Sequence, residues 1–128
     1  MNTEARATAQ RAYAALVHAG ETGDWAPILA MLTDDFEFLF PAGPLQGRYS
    51  GAEGKQKFQD WAERRRDARS WRTLDLTLFA DEWAVFCVDA KGEDAHGTFE
   101  THVALFFRVS GDKISGYREY IGDLAAWI

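Results

Sequence analysis

The chain has 128 residues, 47% of them hydrophobic and 27% charged, which suits one domain with one core and leaves no room for a second. Its net charge of −6, with no basic stripe, argues against a nucleic-acid module, and no apolar run approaches the roughly 20 residues needed to span a bilayer. Five Trp, four Tyr and nine Phe are enough to fill a core and still line a cavity. The start, Met1-Asn2-Thr3-Glu4-Ala5-Arg6, lacks a basic region followed by an apolar one, so no secretory signal is expected. Cys87 stands alone, which excludes an internal disulfide and fits a cytoplasmic protein.

Residues 3–20 read as a helix, with Ala9, Ala12, Tyr13, Leu16 and Val17 at helical spacing and Gly20 placed to end it. Asp24 can cap a short second helix that buries Trp25, Ile28, Leu29 and Leu32. Asp34-Asp35 leads into an aromatic strand, Phe36-Glu37-Phe38-Leu39-Phe40, stopped by Pro41. The segment from Pro41 to Tyr49 reads as a loop. Ser50-Gly51-Ala52-Glu53 fits a capping box for a third helix, which runs to about Ala68 and buries Phe58, Trp61 and Ala62. Arg64, Arg65, Arg66 and Arg69 at its C-terminal end complement the helix dipole.

From Ser70 the period becomes two. Trp71 to Ala80 is a strand with Leu74, Leu76 and Leu78 on one face and Thr73, Asp75 and Thr77 on the other. Asp81-Glu82 turns into a strand from Trp83 to Ala90. A loop from Lys91 to His96 leads to a long strand, Gly97 to Val109, and Ser110-Gly111-Asp112 makes a tight hairpin into the last strand. There Ser115, Tyr117, Glu119 and Ile121 share one face; Ile114, Gly116, Arg118 and Tyr120 share the other. Asp123 to Ile128 is an apolar tail placed to cross a pocket mouth or a sheet edge. The order ααβαββββ is an α+β plan in which a curved antiparallel sheet wraps over three N-terminal helices and leaves a conical cavity.

Glu119 carries chemistry only if the face it shares with Ser115, Tyr117 and Ile121 lines that cavity and does not face water. On a cavity wall it is either a proton donor and acceptor with a raised pKa or a structural carboxylate neutralised by an Arg or a Tyr hydroxyl. Tyr13 either meets a substrate oxygen or is a satisfied core tyrosine. His18, His96 and His102 lie too far apart, with no carboxylate at ligand spacing, to suggest a metal site. Cys87 reads as a small buried hydrophobe.

Three stretches carry a family resemblance: Asp34-Asp35-Phe36-Glu37-Phe38, Pro44-Leu45-Gln46-Gly47-Arg48-Tyr49-Ser50-Gly51, and the last two strands from Thr101-His102-Val103 to Tyr117-Arg118-Glu119-Tyr120. Through them the whole chain, 1–128, resembles the SnoaL-like superfamily of nuclear transport factor 2 and ketosteroid isomerase. The resemblance implies that Tyr117 and Glu119 face the cone, together with Phe99, Thr101, Val103, Leu105 and Phe107. It implies that His102, Phe106, Arg118 and Tyr120 lie on the outer face, too apolar for water and suited to a homodimer. The positions of the ketosteroid isomerase base and acid fall on Phe40 and near Leu105, which carry no such chemistry; only Tyr13 is kept. The Arg118-Glu119-Tyr120 run resembles the phenazine-biosynthesis A/B family, whose glutamate is the proposed acid. That family's polar pocket positions fall on Phe58, Ala62 and Phe99.

The resemblance implies a small-molecule enzyme without a cofactor or metal, acting on an apolar ring-bearing ligand as a cyclase, isomerase or dehydratase. Glu119 and Tyr13 would be catalytic, with Tyr117, Phe40, Phe58, Trp61, Phe99, Thr101 and Leu105 around the substrate. The alternative is a non-catalytic ligand-binding or dimerisation module of the same fold.

Overall fold

The computed structural model describes residues 1–122. Alanine-rich α1 (Thr3–Thr22) starts at Asn2, whose side chain accepts from the Ala5 N–H at 2.8 Å. It ends at Gly23, in the left-handed conformation at φ 80°, and not at Gly20 as the sequence suggested. Gly20 lies inside the helix, because a Cβ there would collide with the Ser70 hydroxyl and the Arg72 guanidinium. The helix buries Thr8, Ala9, Ala12, Leu16 and Ala19. After it, α2 (Ala26–Leu29) starts beside Asp24, whose side chain accepts from the Ala26 N–H at 3.2 Å.

β1 (Leu32–Phe40) begins earlier than its aromatic run. The expected loop before the third helix contains a further strand, β2 (Gly47–Tyr49), which pairs antiparallel with β1 through Phe38 and Tyr49. Its three residues are too short for any period to reveal. α3 (Gly51–Arg65) follows. The expected capping box does not form: Gly51 has φ 65°, outside the right-handed region, and the Ser50 side chain makes no cap bond. Gly54 lets α3 sit against the sheet, since a Cβ there would run into the Phe36 carbonyl.

β3 (Arg69–Ala80), β4 (Trp83–Asp94), β5 (Gly97–Ser110) and β6 (Lys113–Ile121) complete one curved sheet in the order β2-β1-β6-β5-β4-β3. Its pairs are antiparallel except β1 with β6, which run parallel. The expected loop from Lys91 to His96 is mostly strand: Lys91 pairs with Glu100 and Asp94 with Gly97, leaving a two-residue turn. Polar side chains there hid the pairing.

Two bulges change the expected parity. In β3 the register slips between Leu74, opposite Val88, and Leu76, opposite Cys87. Leu76 and Leu78 therefore share the outer face with Cys87, while Leu74 takes the face of buried Val88. In β6 the slip lies beside Ser115, so Ile114 turns into the core and the Ser115 hydroxyl accepts from Arg108 Nε at 3.0 Å. Beyond the bulge the expected alternation holds, with Tyr117 and Glu119 buried and Tyr120 exposed. The core lies between the inner sheet face and the helices. The apolar tail proposed to cross a pocket mouth lies outside the described residues. No helix of the described chain is long and apolar enough to cross a membrane.

Candidate functional site

The site is built by neighbouring strands. β5 sets Leu105 opposite Glu119 and Phe107 opposite Tyr117, and β1 lays Phe38 beside Tyr117. The alternation of β6 therefore delivers Tyr117 and Glu119 to the inner face. Tyr117 is fully buried, with ring centres of Phe38, Phe40, Phe58, Trp61 and Phe107 at 5.3–6.3 Å. Its hydroxyl donates to Glu119 Oε1 at 2.9 Å.

Glu119 is 7% exposed. Burial raises its pKa above the ordinary carboxylate value, because the charged form loses hydration; the Tyr117 hydrogen bond and the charges of Arg72 and Arg65 pull the other way. The Tyr117 phenol is pushed well above its usual value, by burial first and by the Glu119 charge second. Neither the Tyr117 hydroxyl nor the Glu119 carboxyl is thus in an environment that favours its ionised form.

Tyr13 is half-buried and stacks on Phe86, with ring centres 4.5 Å apart. Its hydroxyl has no hydrogen-bond partner among the described residues, and burial raises its pKa while Arg72 lowers it. It does not hydrogen-bond Glu119; Tyr117 takes that place.

The expected lining residues divide into two groups. Phe40, Phe58, Trp61 and Leu105 are buried; Phe40 and Phe58 each pack edge to face on Trp61 beside the Tyr117 ring. They fill the narrow end of the cone. Phe99 and Thr101 are half-buried, as are Tyr13, Arg65 and Arg72, so the inner face is less covered toward this end. Hollows open on the described surface at the sheet rim and on the outer face. The rim hollow, of about 490 Å³, lies beside Phe99, Gly92 and Trp71; the outer one, of about 370 Å³, lies between Cys87, His102, Ala104 and Tyr120. Neither reaches Glu119.

His102 is on the outer face, as the parity implied, with Nε2 3.5 Å from Asp89 Oδ1. Cys87 is also on that face and half-exposed, not buried as expected. Among the described residues no three His, Cys, Asp or Glu side chains gather in a metal-holding group.

Sequence reasoning missed Arg65 and Arg72. Arg65 was grouped with the helix-capping arginines, a role Arg69 fills by donating to the Arg66 and Ala68 carbonyls at 2.8 and 2.7 Å. Arg65 instead extends over the Phe99 ring, 5.3 Å from its centre. The available signal was its spacing from Phe58, Trp61 and Ala62, which puts all four on one helix face. For Arg72 it was alternation with Ser70, whose partner across the strands, Gly92, is buried on the inner face.

A family model described as a SnoaL-like domain matches residues 9–117. No curated protein matches the sequence. Among solved structures, an NTF2-like protein from Anabaena variabilis ATCC 29413 is 28% identical and superposes with a TM-score of 0.84, over 96% of this chain and 93% of that one. An NTF2-like protein from Burkholderia xenovorans LB400 is 21% identical, with a TM-score of 0.72 over 98% and 94%. A proposed SnoaL-like polyketide cyclase from Jannaschia sp. CCS1, 12% identical, gives 0.72 over 98% and 90%, a likeness of fold. With the family match spanning most of the chain and the cone, its helices and its inward-facing last strand all in place, the protein belongs to the SnoaL-like domain family.

Proposed function

We propose that the whole chain, 1–128, acts as one SnoaL-like enzyme domain on an apolar, ring-bearing small molecule, with Glu119 as general acid and base. The observation that carries this is the desolvated Glu119 carboxyl held by the Tyr117 hydroxyl at 2.9 Å. A carboxyl whose pKa is raised toward neutrality can give a proton to a substrate oxygen or carbon and recover one from a neighbouring carbon. Tyr117, fully buried, orients Glu119. The unpartnered Tyr13 hydroxyl is available to a substrate oxygen. Phe99 and Thr101 border the approach, and Phe40, Phe58, Trp61 and Leu105 form the dry floor that keeps water from the proton transfer. Cyclisation, isomerisation and dehydration each need this little machinery, with no cofactor.

The test is exchange of ring-ketone α-protons for deuterium, followed by NMR. The native protein is expected to accelerate exchange for at least one cyclic ketone, and Glu119→Gln to slow it by about 100-fold or more. Equal rates in both proteins, or none above buffer, would remove the acid–base role.

A second reading, a ligand-binding module, is favoured by the aromatic rings packed at the cone's narrow end, which leave few titratable groups beside Glu119. It predicts that Glu119→Gln changes affinity alone and that no bound ligand is altered.

The outer face supports a homodimer. Leu76, Leu78 and Tyr120 are 48%, 52% and 39% exposed there, next to Phe106, whose ring centre is 5.4 Å from that of Tyr120. His102 and Arg118 flank them; Arg118 lies over the Trp83 ring and reaches Glu37 Oε1 at 3.3 Å. A single cysteine, half-exposed and unpaired, is in keeping with a cytoplasmic protein.

A further inference from the structure

Arg65 and Arg72 lie toward the less covered end of the inner face, close enough to Glu119 for their charges to act on its carboxyl, and among the described residues neither forms an ion pair. Arg65 projects from the buried face of α3 and spans the Phe99 ring. Arg72 projects from the inner face of β3, with Nη1 3.3 Å from the Ser70 hydroxyl. It occupies a notch in α1 that exists because residue 20 has no side chain; a Cβ there would lie 2.6 Å from Arg72 Nη1. A glycine inside a helix costs about 1 kcal/mol relative to alanine. Here that cost makes room for a cation.

The cations do not neutralise each other's surroundings. Burial holds Arg65 below its usual pKa, and the Arg72 charge lowers it further. Asp94, which acts on Arg65 in the opposite sense, spends one carboxylate oxygen on the His96 N–H at 2.8 Å. Were the arginines there to neutralise Glu119, a contact within ion-pair distance would be expected, and none is formed. Glu119 is one carboxyl, whose ionisation burial opposes, set against two guanidinium groups.

There is also less filling at this end. The row across the inner face at Arg72 is completed by Ala90 and Thr101, while the row at Glu119 is completed by Leu105 and Phe86. Small side chains thus lie beside Arg72 on the sheet, and larger ones beside the carboxyl.

We infer that the site takes an anionic ligand: an aromatic or alicyclic carboxylic acid whose carboxylate lies between Arg65 and Arg72 and whose ring points toward Glu119. Guanidinium groups recognise a carboxylate through paired, charge-assisted hydrogen bonds. Selectivity must be local, because a chain of net charge −6 does not attract anions at long range. The inference deepens the reading of Glu119 as acid and base and rests on it for the orientation of the ring.

The probes are 1-naphthoate and its neutral analogue 1-naphthamide, with affinity read by isothermal titration calorimetry. Native protein is expected to bind the naphthoate about tenfold or more tightly than the amide, the scale of one hydrogen bond to a charged group. Arg72→Met and Arg65→Met are each made, and circular dichroism confirms their fold; Arg65 is the safer of the two because it does not fill the α1 notch. Loss of the carboxylate preference in either folded variant supports the inference. Equal affinity of the native protein for the two probes, no binding of the naphthoate, or a preference kept in both variants overturns it. Glu119→Gln separates this inference from the one beneath it. That variant is expected to keep the carboxylate preference while losing proton exchange, so either result can fail without the other.

Discussion

At Glu119, dehydration and hydrogen bonding oppose each other, and dehydration is the larger. The consequence for stability has a definite sign. Below the unfolded-state value of about 4.5 the carboxyl is neutral in both states, and burial of the group is least costly. As pH rises from there through the raised folded-state value, the unfolded chain loses its proton first, and stability falls. Glu119→Gln keeps an acceptor for Tyr117 and removes the ionisation. It is expected to raise Tm at pH 8 and to leave Tm unchanged at pH 4. Thermal melts across that range would show it, and a variant that melts lower than the native protein at pH 8 would mean Glu119 is a stabilising ion-pair partner.

Among the elements, α3 depends most on close approach. Gly54 sits where the helix meets the Phe36 carbonyl, and the neighbouring turns carry Phe58 and Trp61 onto Phe36, Phe38 and Phe40. Gly54→Ala improves helix propensity yet pushes the helix off β1. The clash wins: destabilisation of about 1–3 kcal/mol is expected, or roughly 3–15 °C in Tm at about 3–5 °C per kcal/mol. An unchanged or raised Tm would show that α3 can shift at no cost.

Where alternation or helical period was continuous, the sequence carried the elements: α1, the aromatic β1, and β6 with Tyr117 and Glu119 on one face, which the family resemblance turned inward. It was silent where pairing depends on partners distant in sequence. β2 has three residues and no period, and Lys91 to Asp94 is polar on exposed positions, so neither read as strand. The bulge at Asp75 hid the outward turn of Leu76 and Leu78, because an extra residue in one strand leaves no mark in composition. The candidate carboxylate was visible. Its surroundings were visible only in part: Tyr117 shares its strand and face, whereas Arg65 and Arg72 approach it from α3 and β3.

For the whole molecule, the proposed homodimer rests on the outer sheet face. Leu76, Leu78 and Tyr120 present exposed apolar surface across strands β3 to β6, and a standard interface removes about 800 Å² per partner from water. Light scattering after size exclusion is expected to give twice the 14.4 kDa chain mass for the native protein. Leu78→Lys, at a position already half in solvent, is expected to give a monomer that keeps its circular dichroism. A native monomer at micromolar concentration would rule the dimer out.

The parallel seam between β1 and β6 joins segments far apart in the chain: Glu37 meets Arg118 across a separation of 81 residues. The β3–β4 and β4–β5 hairpins close over two-residue turns and can assemble as soon as they exist, whereas the seam must first overcome the entropy of a long loop. β5 and β6 also close over a two-residue turn, Gly111-Asp112, so β6 with Glu119 is expected to join the hairpins and the β1 seam to complete the sheet late. Drying of the Glu119 carboxyl is then expected to accompany the docking of β1 and the helices onto the inner face, after the hairpins are in place.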